Sequence, residues 1–184
     1  LLGHDGKWRN LAKRQLADIV PPAQLADWLK GRKLDAVIHL GAISETTATD
    51  GDLVIETNFR LSMRLLDWCT ANAVPFIYAS SAATYGDGSA GFSDDPSIDA
   101  LKKLRPMNLY GWSKHLFDMA LAERAARGGK LGASRAHVHD VQRDHARRAS
   151  FAEHVRRVRR GRDDAGCGPR VRVRQLRGLP ADPP

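Results

Sequence analysis

Apolar and polar positions along this chain follow two alternating rhythms. Short apolar runs bounded by polar residues occur at Asp35-Ala36-Val37-Ile38-His39-Leu40 and at Val74-Pro75-Phe76-Ile77-Tyr78-Ala79, the second ending in Ser80-Ser81. Runs of this length predict strands buried on both faces of a parallel sheet. Around them the period changes to that of a helix. Leu25, Trp28 and Leu29 share one face of Ala23 to Lys30, a segment opened by Pro21-Pro22 and closed by Gly31. Ile55, Phe59, Met63, Leu66 and Cys69 recur at three and four between Leu53 and Ala73, until Pro75 stops the pattern. Leu109, Trp112, Leu116, Met119 and Ala120 do the same between Asn108 and Arg127, where Gly128-Gly129 closes it. Residues 1–20 are polar and turn-rich, and Gly86 to Pro106 reads as one long loop, a length that in a compact domain is usually functional. Helix, strand, helix, strand, helix is an α/β layout, part of a doubly wound parallel sheet with right-handed crossovers.

Charge changes this picture only after residue 130. The chain has 184 residues and a net charge of +8, which taken whole suggests an anionic partner. Yet residues 1–130 hold 16 Lys and Arg against 15 Asp and Glu, and residues 131–184 hold 13 against 6. Every Lys, Trp and Tyr lies at or before Lys130; beyond it the basic charge is Arg alone, joined by Ala, Gly, Pro and His. No apolar run long enough for a buried strand follows, although Val155 and Val158 hint at a helix. A shifted reading frame in a GC-rich gene yields this mixture. Residues 131–184 are therefore expected to be an irregular or disordered Arg-rich tail of non-native sequence. Arg156 to Arg162 can neutralise phosphates non-specifically, but no aromatics are interleaved there to stack bases, so nucleic acid is not the expected partner. Cys69 and Cys167 have no metal-ligand or disulfide spacing, and no apolar run approaches a membrane span, so a cytoplasmic setting without membrane or metal is expected.

The candidate chemistry gathers at the strand and helix ends. Tyr110 and Lys114 are four apart, so on a helix they share a face one turn apart, where an ammonium stabilises a phenolate and readies it to take a proton from a hydroxyl. Tyr and Lys at this spacing also occur on many solvated helices. What singles out this pair is the strand ending in Ser80-Ser81 upstream, because strand ends and helix starts border the ligand crevice of a doubly wound sheet. Ser81 can bond a substrate hydroxyl or satisfy backbone groups at the strand end. Gly41, Ala42 and Ser44 leave room for a dinucleotide beside the backbone, or form an ordinary tight turn. Asn58 can bridge strand ends or cap its helix locally. His39, inside an apolar strand, reads as a core histidine without a catalytic role.

At three runs the chain resembles the extended short-chain dehydrogenase/reductase superfamily of NAD(P)-dependent nucleotide-sugar epimerases and dehydratases. Within it, the chain is similar to the ADP-L-glycero-D-manno-heptose 6-epimerase family. The runs are His39-Leu40-Gly41-Ala42-Ile43-Ser44-Glu45-Thr46-Thr47, Tyr78-Ala79-Ser80-Ser81-Ala82-Ala83-Thr84-Tyr85-Gly86 and Asn108-Leu109-Tyr110-Gly111-Trp112-Ser113-Lys114. The resemblance covers roughly residues 3 to 130. It implies a partial NAD(P)-binding, Rossmann-like domain over 1–130, with Tyr110 as acid/base, Lys114 tuning it and binding the nicotinamide ribose, and Ser81 as the active-site hydroxyl. The same resemblance assigns cofactor binding to Lys7, Leu40, Gly41, Ala42, Ile43, Ser44, Thr57 and Asn58. It implies NADP, with NAD possible, and an ADP-heptose substrate epimerised at C6 by transient oxidation and re-reduction in lipopolysaccharide core synthesis. Family members are homo-oligomers.

Two departures from the family pattern shape further expectations. The family opens with a strand and a G-x-x-G-x-x-G turn that cradles pyrophosphate, and this chain is expected to begin after them. The family also places a second catalytic lysine further along, where this chain has Arg148. The polypeptide by itself is therefore expected to bind NADP weakly and to be inactive. Another NAD(P)-dependent nucleotide-sugar epimerase or dehydratase, such as a 4-epimerase, is the alternative enzyme reading, and a basic nucleic-acid-binding fragment is the alternative outside enzymes.

Overall fold

The computed structural model describes residues 6–128 and 133–136. Strands β1 (Val37–His39), β2 (Phe76–Ala79) and β3 (Ala133–Ala136) form a parallel sheet in the order β1-β2-β3, with Val37 opposite Phe76 and Phe76 opposite Ala133. Pro21 leads into a 3-10 turn, Pro22–Gln24, that runs straight into α1 (Leu25–Leu29), and Gly31 leaves it at a φ of +68° that favours glycine. Between β1 and β2 one long helical stretch is built from α2 (Gly51–Val54), a π-helical segment Ile55–Arg60, and α3 (Leu61–Ala71). Asp50 caps its start by accepting Leu53 N–H at 2.9 Å. After β2, Ser81 caps a 3-10 turn at Ala82–Tyr85, and a short helix α4 (Ile98–Leu101) precedes α5 (Leu109–Ala126). Asn108 caps α5, its Oδ1 accepting Gly111 N–H at 2.8 Å.

Phe76 and Tyr78, two apart on β2, point to one face of the sheet, where Leu29 of α1, Leu65, Leu66 and Cys69 of α3, and Phe117 and Leu121 of α5 close over them. Phe117 meets Tyr78 edge-on at 4.7 Å and Phe76 at 6.3 Å between centroids. Each of these side chains, fully buried, contributes on the order of 2 kcal/mol. Cys69 belongs to this core, and burial pushes its thiol up to about 11, which keeps it protonated and unreactive. Among the described residues no helix is long and apolar enough to cross a membrane.

Three sequence expectations need correction. The strand at residues 35–40 was expected to be buried on both faces, but only Val37–His39 is extended, with Ile38 48% and Leu40 55% exposed. The described helices that join the core cluster do so around Phe76 and Tyr78, so β1 is covered on the His39 side alone. The long loop of residues 86–106 contains α4, which forms because Ser97 Oγ accepts Ala100 N–H at 3.2 Å and Leu101 is buried; four residues are too few to show a period. No strand was expected beyond Lys130, yet β3 pairs there with β2 through the sequence Ala133-Ser134-Arg135-Ala136. A ladder is made of backbone groups, so a segment without an apolar run can still enter it. Residues 131–132 and 137–184, the rest of the expected tail and Arg148 with it, lie outside the described residues.

Candidate active site

Both strand-to-helix junctions place their polar residues at the carboxyl ends of β1 and β2, the edge where an open α/β sheet takes ligands. Tyr110 and Lys114 lie in the first two turns of α5, one turn apart, with Tyr110 half-buried and Lys114 only 2% exposed. Lys114 Nζ donates to Ala79 O, the last residue of β2, at 2.9 Å. Burial pushes the Lys114 ammonium down from 10.5 to about 8, so it carries its charge near neutral pH and is held close to losing it. Gly111, between them, brings the helix against the 3-10 turn: a Cβ there would lie 2.5 Å from Ala83 O. Ser81, half-buried, begins that turn, and its Oγ accepts Ala83 N–H at 3.2 Å while, among the described residues, none takes its own proton. Of the two readings of Ser81, the structure shows the one in which it satisfies a backbone group at the strand end, and its 3-10 turn packs against α5, the helix that carries Tyr110.

The loop after β1 is held from behind by Asn58, which is fully buried in the π-helical segment. Asn58 Oδ1 accepts Ile43 N–H at 2.8 Å, and its Nδ2 donates to Ile43 O at 2.9 Å and to Ser113 Oγ at 3.0 Å. Both amide protons are therefore in use. Ser113 Oγ in turn donates to Tyr110 O at 2.7 Å, so a continuous line of hydrogen bonds runs from the loop to the turn that carries the phenol. Asn58 bridges elements rather than capping its own helix, which decides between the two readings its position allowed. Asn58 O also accepts Ser62 Oγ at 2.6 Å, one turn along the helix, and Ser62 lies 2.8 Å from His39 Nε2. Because Ser62 spends its proton on Asn58, His39 donates through Nε2. Burial, aided by the Lys114 charge, pushes His39 down to about 4, and the ring stacks on Phe76 at 6.0 Å. It is a neutral core histidine, as its apolar strand implied.

Of the residues expected to meet a cofactor, Leu40 to Ser44 and Asn58 come together in this way, and Thr57 sits half-buried beside Asn58. Lys7 lies in the 3-10 turn Gly6–Asn10, and its side chain is outside the description. Gly41 is the opening: a Cβ there meets nothing within 4 Å, so no neighbour within the described chain requires glycine and the space in front of the loop is free. A dinucleotide fits that arrangement, with a bare backbone in front and Asn58 fixing it from behind. Sequence reasoning missed Ser113, Ser62 and Asp118, the last fully buried on α5 with its Oδ2 accepting Ser80 Oγ at 2.6 Å. The signal for Asp118 was present: it stands one turn past Lys114 in an otherwise apolar stripe with Phe117 and Leu121.

One prediction arises from the clamp. Asn58→Leu keeps the volume but leaves Ile43 N–H and O and Ser113 without their partner, and is expected to lower unfolding stability by about 3 kcal/mol, read from urea unfolding midpoints. A loss below about 1 kcal/mol would show that the loop is held by something else.

Comparison with known proteins gives this geometry a context. The model of the family described as "NAD dependent epimerase/dehydratase family" matches residues 3–139, past Lys130 and through β3. A protein of Fusobacterium nucleatum named ADP-L-glycero-D-manno-heptose-6-epimerase is 43% identical over 121 residues, which is 64% of this chain and 36% of that relative. One of the same name from Nitratidesulfovibrio vulgaris is 46% identical over 117 residues, covering 61% of this chain and 36% of the relative. The crystal structure of the Helicobacter pylori ADP-L-glycero-D-manno-heptose-6-epimerase aligns with a TM-score of 0.48 at 32% identity, over 59% of this chain and 32% of that one. The chain therefore spans little more than a third of the length of the curated relatives it matches.

Proposed function

The chain belongs to the NAD dependent epimerase/dehydratase family, and from that premise we propose that its residues form the proton-handling side of a site that inverts C6 of ADP-heptose with NADP, or alternatively NAD. The observation that carries this reading is Lys114: a buried ammonium, fixed on Ala79 O at 2.9 Å, one helical turn from Tyr110 and at the end of the strand that leads into Ser81. The substrate is argued from the relatives, two of which carry the name of a heptose 6-epimerase at 43% and 46% identity.

Leu40 to Ser44, set by Asn58, together with Thr57, Lys7 and Lys114, would hold the dinucleotide, which when bound accepts and returns the two electrons and hydrogen of the C6–H bond. Tyr110 takes the proton of the C6 hydroxyl as that carbon is oxidised. C6 is bonded to a carbon on each side, so the product of this half-reaction is a ketone. Ser81 donates its free proton to the same oxygen, holding it against Tyr110 in both directions. The Lys114 charge stabilises the phenolate that Tyr110 needs to begin, and its bond to Ala79 O stops the side chain from wandering. On the return, Tyr110 gives back a proton after the hydrogen has reached the other face of C6. The reading extends to a nucleotide-sugar substrate met in the cytoplasm and a product used in the lipopolysaccharide core.

A chimaera tests it. The 121 residues shared with the Fusobacterium nucleatum relative are exchanged for those of this chain, and the NADP-loaded protein is offered ADP-heptose and UDP-hexoses. Inversion at C6 of the heptose alone, followed by NMR, is the expected result. A C4-inverted or dehydrated UDP-hexose would favour the runner-up epimerase or dehydratase, and no turnover on either would overturn the proposal.

A further inference from the structure

Asp118 is a titratable group with 1% exposure that the chemistry above leaves unused. It continues the stripe Tyr110, Lys114, Asp118 along α5, with a spacing of four at each step. Its Oδ2 accepts Ser80 Oγ at 2.6 Å, and Ser80 is itself 3% exposed. Lys114 grips Ala79 O and Asp118 grips Ser80, so one face of α5 holds two consecutive residues at the end of β2. The next residue is Ser81. From its other side Ser81 is held by the 3-10 turn, where its carbonyl accepts Thr84 N–H at 3.2 Å and Thr84 Oγ1 at 2.7 Å. Burying a carboxyl group among Phe117 and Leu121 costs more than burying a leucine, so the position is expensive for packing alone.

We propose that Asp118 is a positioning residue: through Ser80 it fixes the end of β2 and so aims the Ser81 hydroxyl at the oxygen that Tyr110 serves. This deepens the proposed function and rests on it for the reaction, while the geometric half stands by itself.

Native-state hydrogen exchange on the full chain decides the geometric half. Ser80→Ala is expected to speed exchange of the Ala83 and Thr84 amides roughly tenfold, with the Val37 amide, bonded to Pro75 O at the far end of β2, unchanged. Asp118→Asn, which keeps an acceptor for Ser80, is expected to retain most of the protection. In a Ser81→Ala background, Ser80→Ala should add nothing at Ala83, because the acceptor it aims is gone. A uniform rise across β2 and α5, or no change at Ala83 and Thr84, overturns the proposal in favour of a role in packing alone. In the chimaera described above, Ser80→Ala is expected to lower kcat roughly tenfold with KM unchanged, again only while Ser81 is present. A rise in KM with kcat unchanged would likewise overturn it. If the chimaera shows no turnover at all, the proposed function has failed, and the exchange pattern still decides the placement of Ser81.

Discussion

Lys114→Met is expected to cut turnover in the chimaera by roughly a hundredfold or more while flattening one segment of the stability curve against pH. Methionine fills the buried channel of the lysine stem but brings neither the charge beside Tyr110 nor the donor to Ala79 O. The pH effect has a fixed sign. Burial lowers the native pKa of Lys114 to about 8 from 10.5, so between those values the unfolded chain keeps a proton that the native state has released. Stability contributed by this residue therefore rises with pH across that window, and below it the full cost of burying the charge is present, on the order of 3 kcal/mol. Subtracting the variant's unfolding free energy from that of the wild type isolates the residue. The difference should grow in favour of the wild type between pH 8 and 10.5. A flat difference would mean that the ammonium is solvated in the native state.

Gly86→Ala is expected to cost about 4 kcal/mol and to leave much of the chain unfolded at moderate temperature. Gly86 follows the 3-10 turn with φ +65° and ψ −127°, a region that only glycine enters freely. A Cβ there would sit 1.9 Å from Arg105 O, which is backbone and cannot step aside as a side-chain tip would. The steric term and the conformational term point the same way. Gly41→Ala is the control, since a Cβ at Gly41 meets nothing within 4 Å. Thermal unfolding of the two variants side by side checks this, and equal midpoints would show that the loop of residues 86–105 can move away from Gly86 at little cost.

The α/β layout and the helix carrying Tyr110 and Lys114 were legible because long periods repeat the same signal several times. Leu109 to Ala120 and Ile55 to Cys69 each mark a face over several turns, and the structure places helices at both. Short elements were not legible. α4 depends on one capping serine, and β3 depends on a backbone ladder that no side chain of Ala133 to Ala136 announces. The exposure of Ile38 was hidden for a related reason: an apolar run tells that a strand can be covered on two faces, and does not tell which covering elements are present. At the site, Tyr110, Lys114 and Ser81 could be singled out by chemistry and motif. Ser113 could not, because its role arises from Asn58 standing opposite it in space, and Asp118, although a carboxylate one turn past Lys114 is visible in the sequence, takes its role only from Ser80 opposite it.

The π-helical segment Ile55–Arg60 has a consequence for which changes in length this protein can survive. A regular α-helix advances about 100° per residue, so the direction of every later side chain is fixed by how many residues precede it. The wider turn here, closed by Leu61 N–H on Glu56 O, adds a residue to one winding and resets that phase. Inside the wide turn, Asn58 points at the Ile43 loop; beyond it, Leu65, Leu66 and Cys69 point at Phe76 and Tyr78. Removing one residue between 55 and 60 would close the wide turn into an ordinary one and leave the core face nearly in place, so its cost would fall on the wide turn itself, where Asn58 sits. The extra residue therefore serves the polar clamp rather than the apolar core: a chain one residue shorter here would keep the core face and lose the reach of Asn58 to the Ile43 loop.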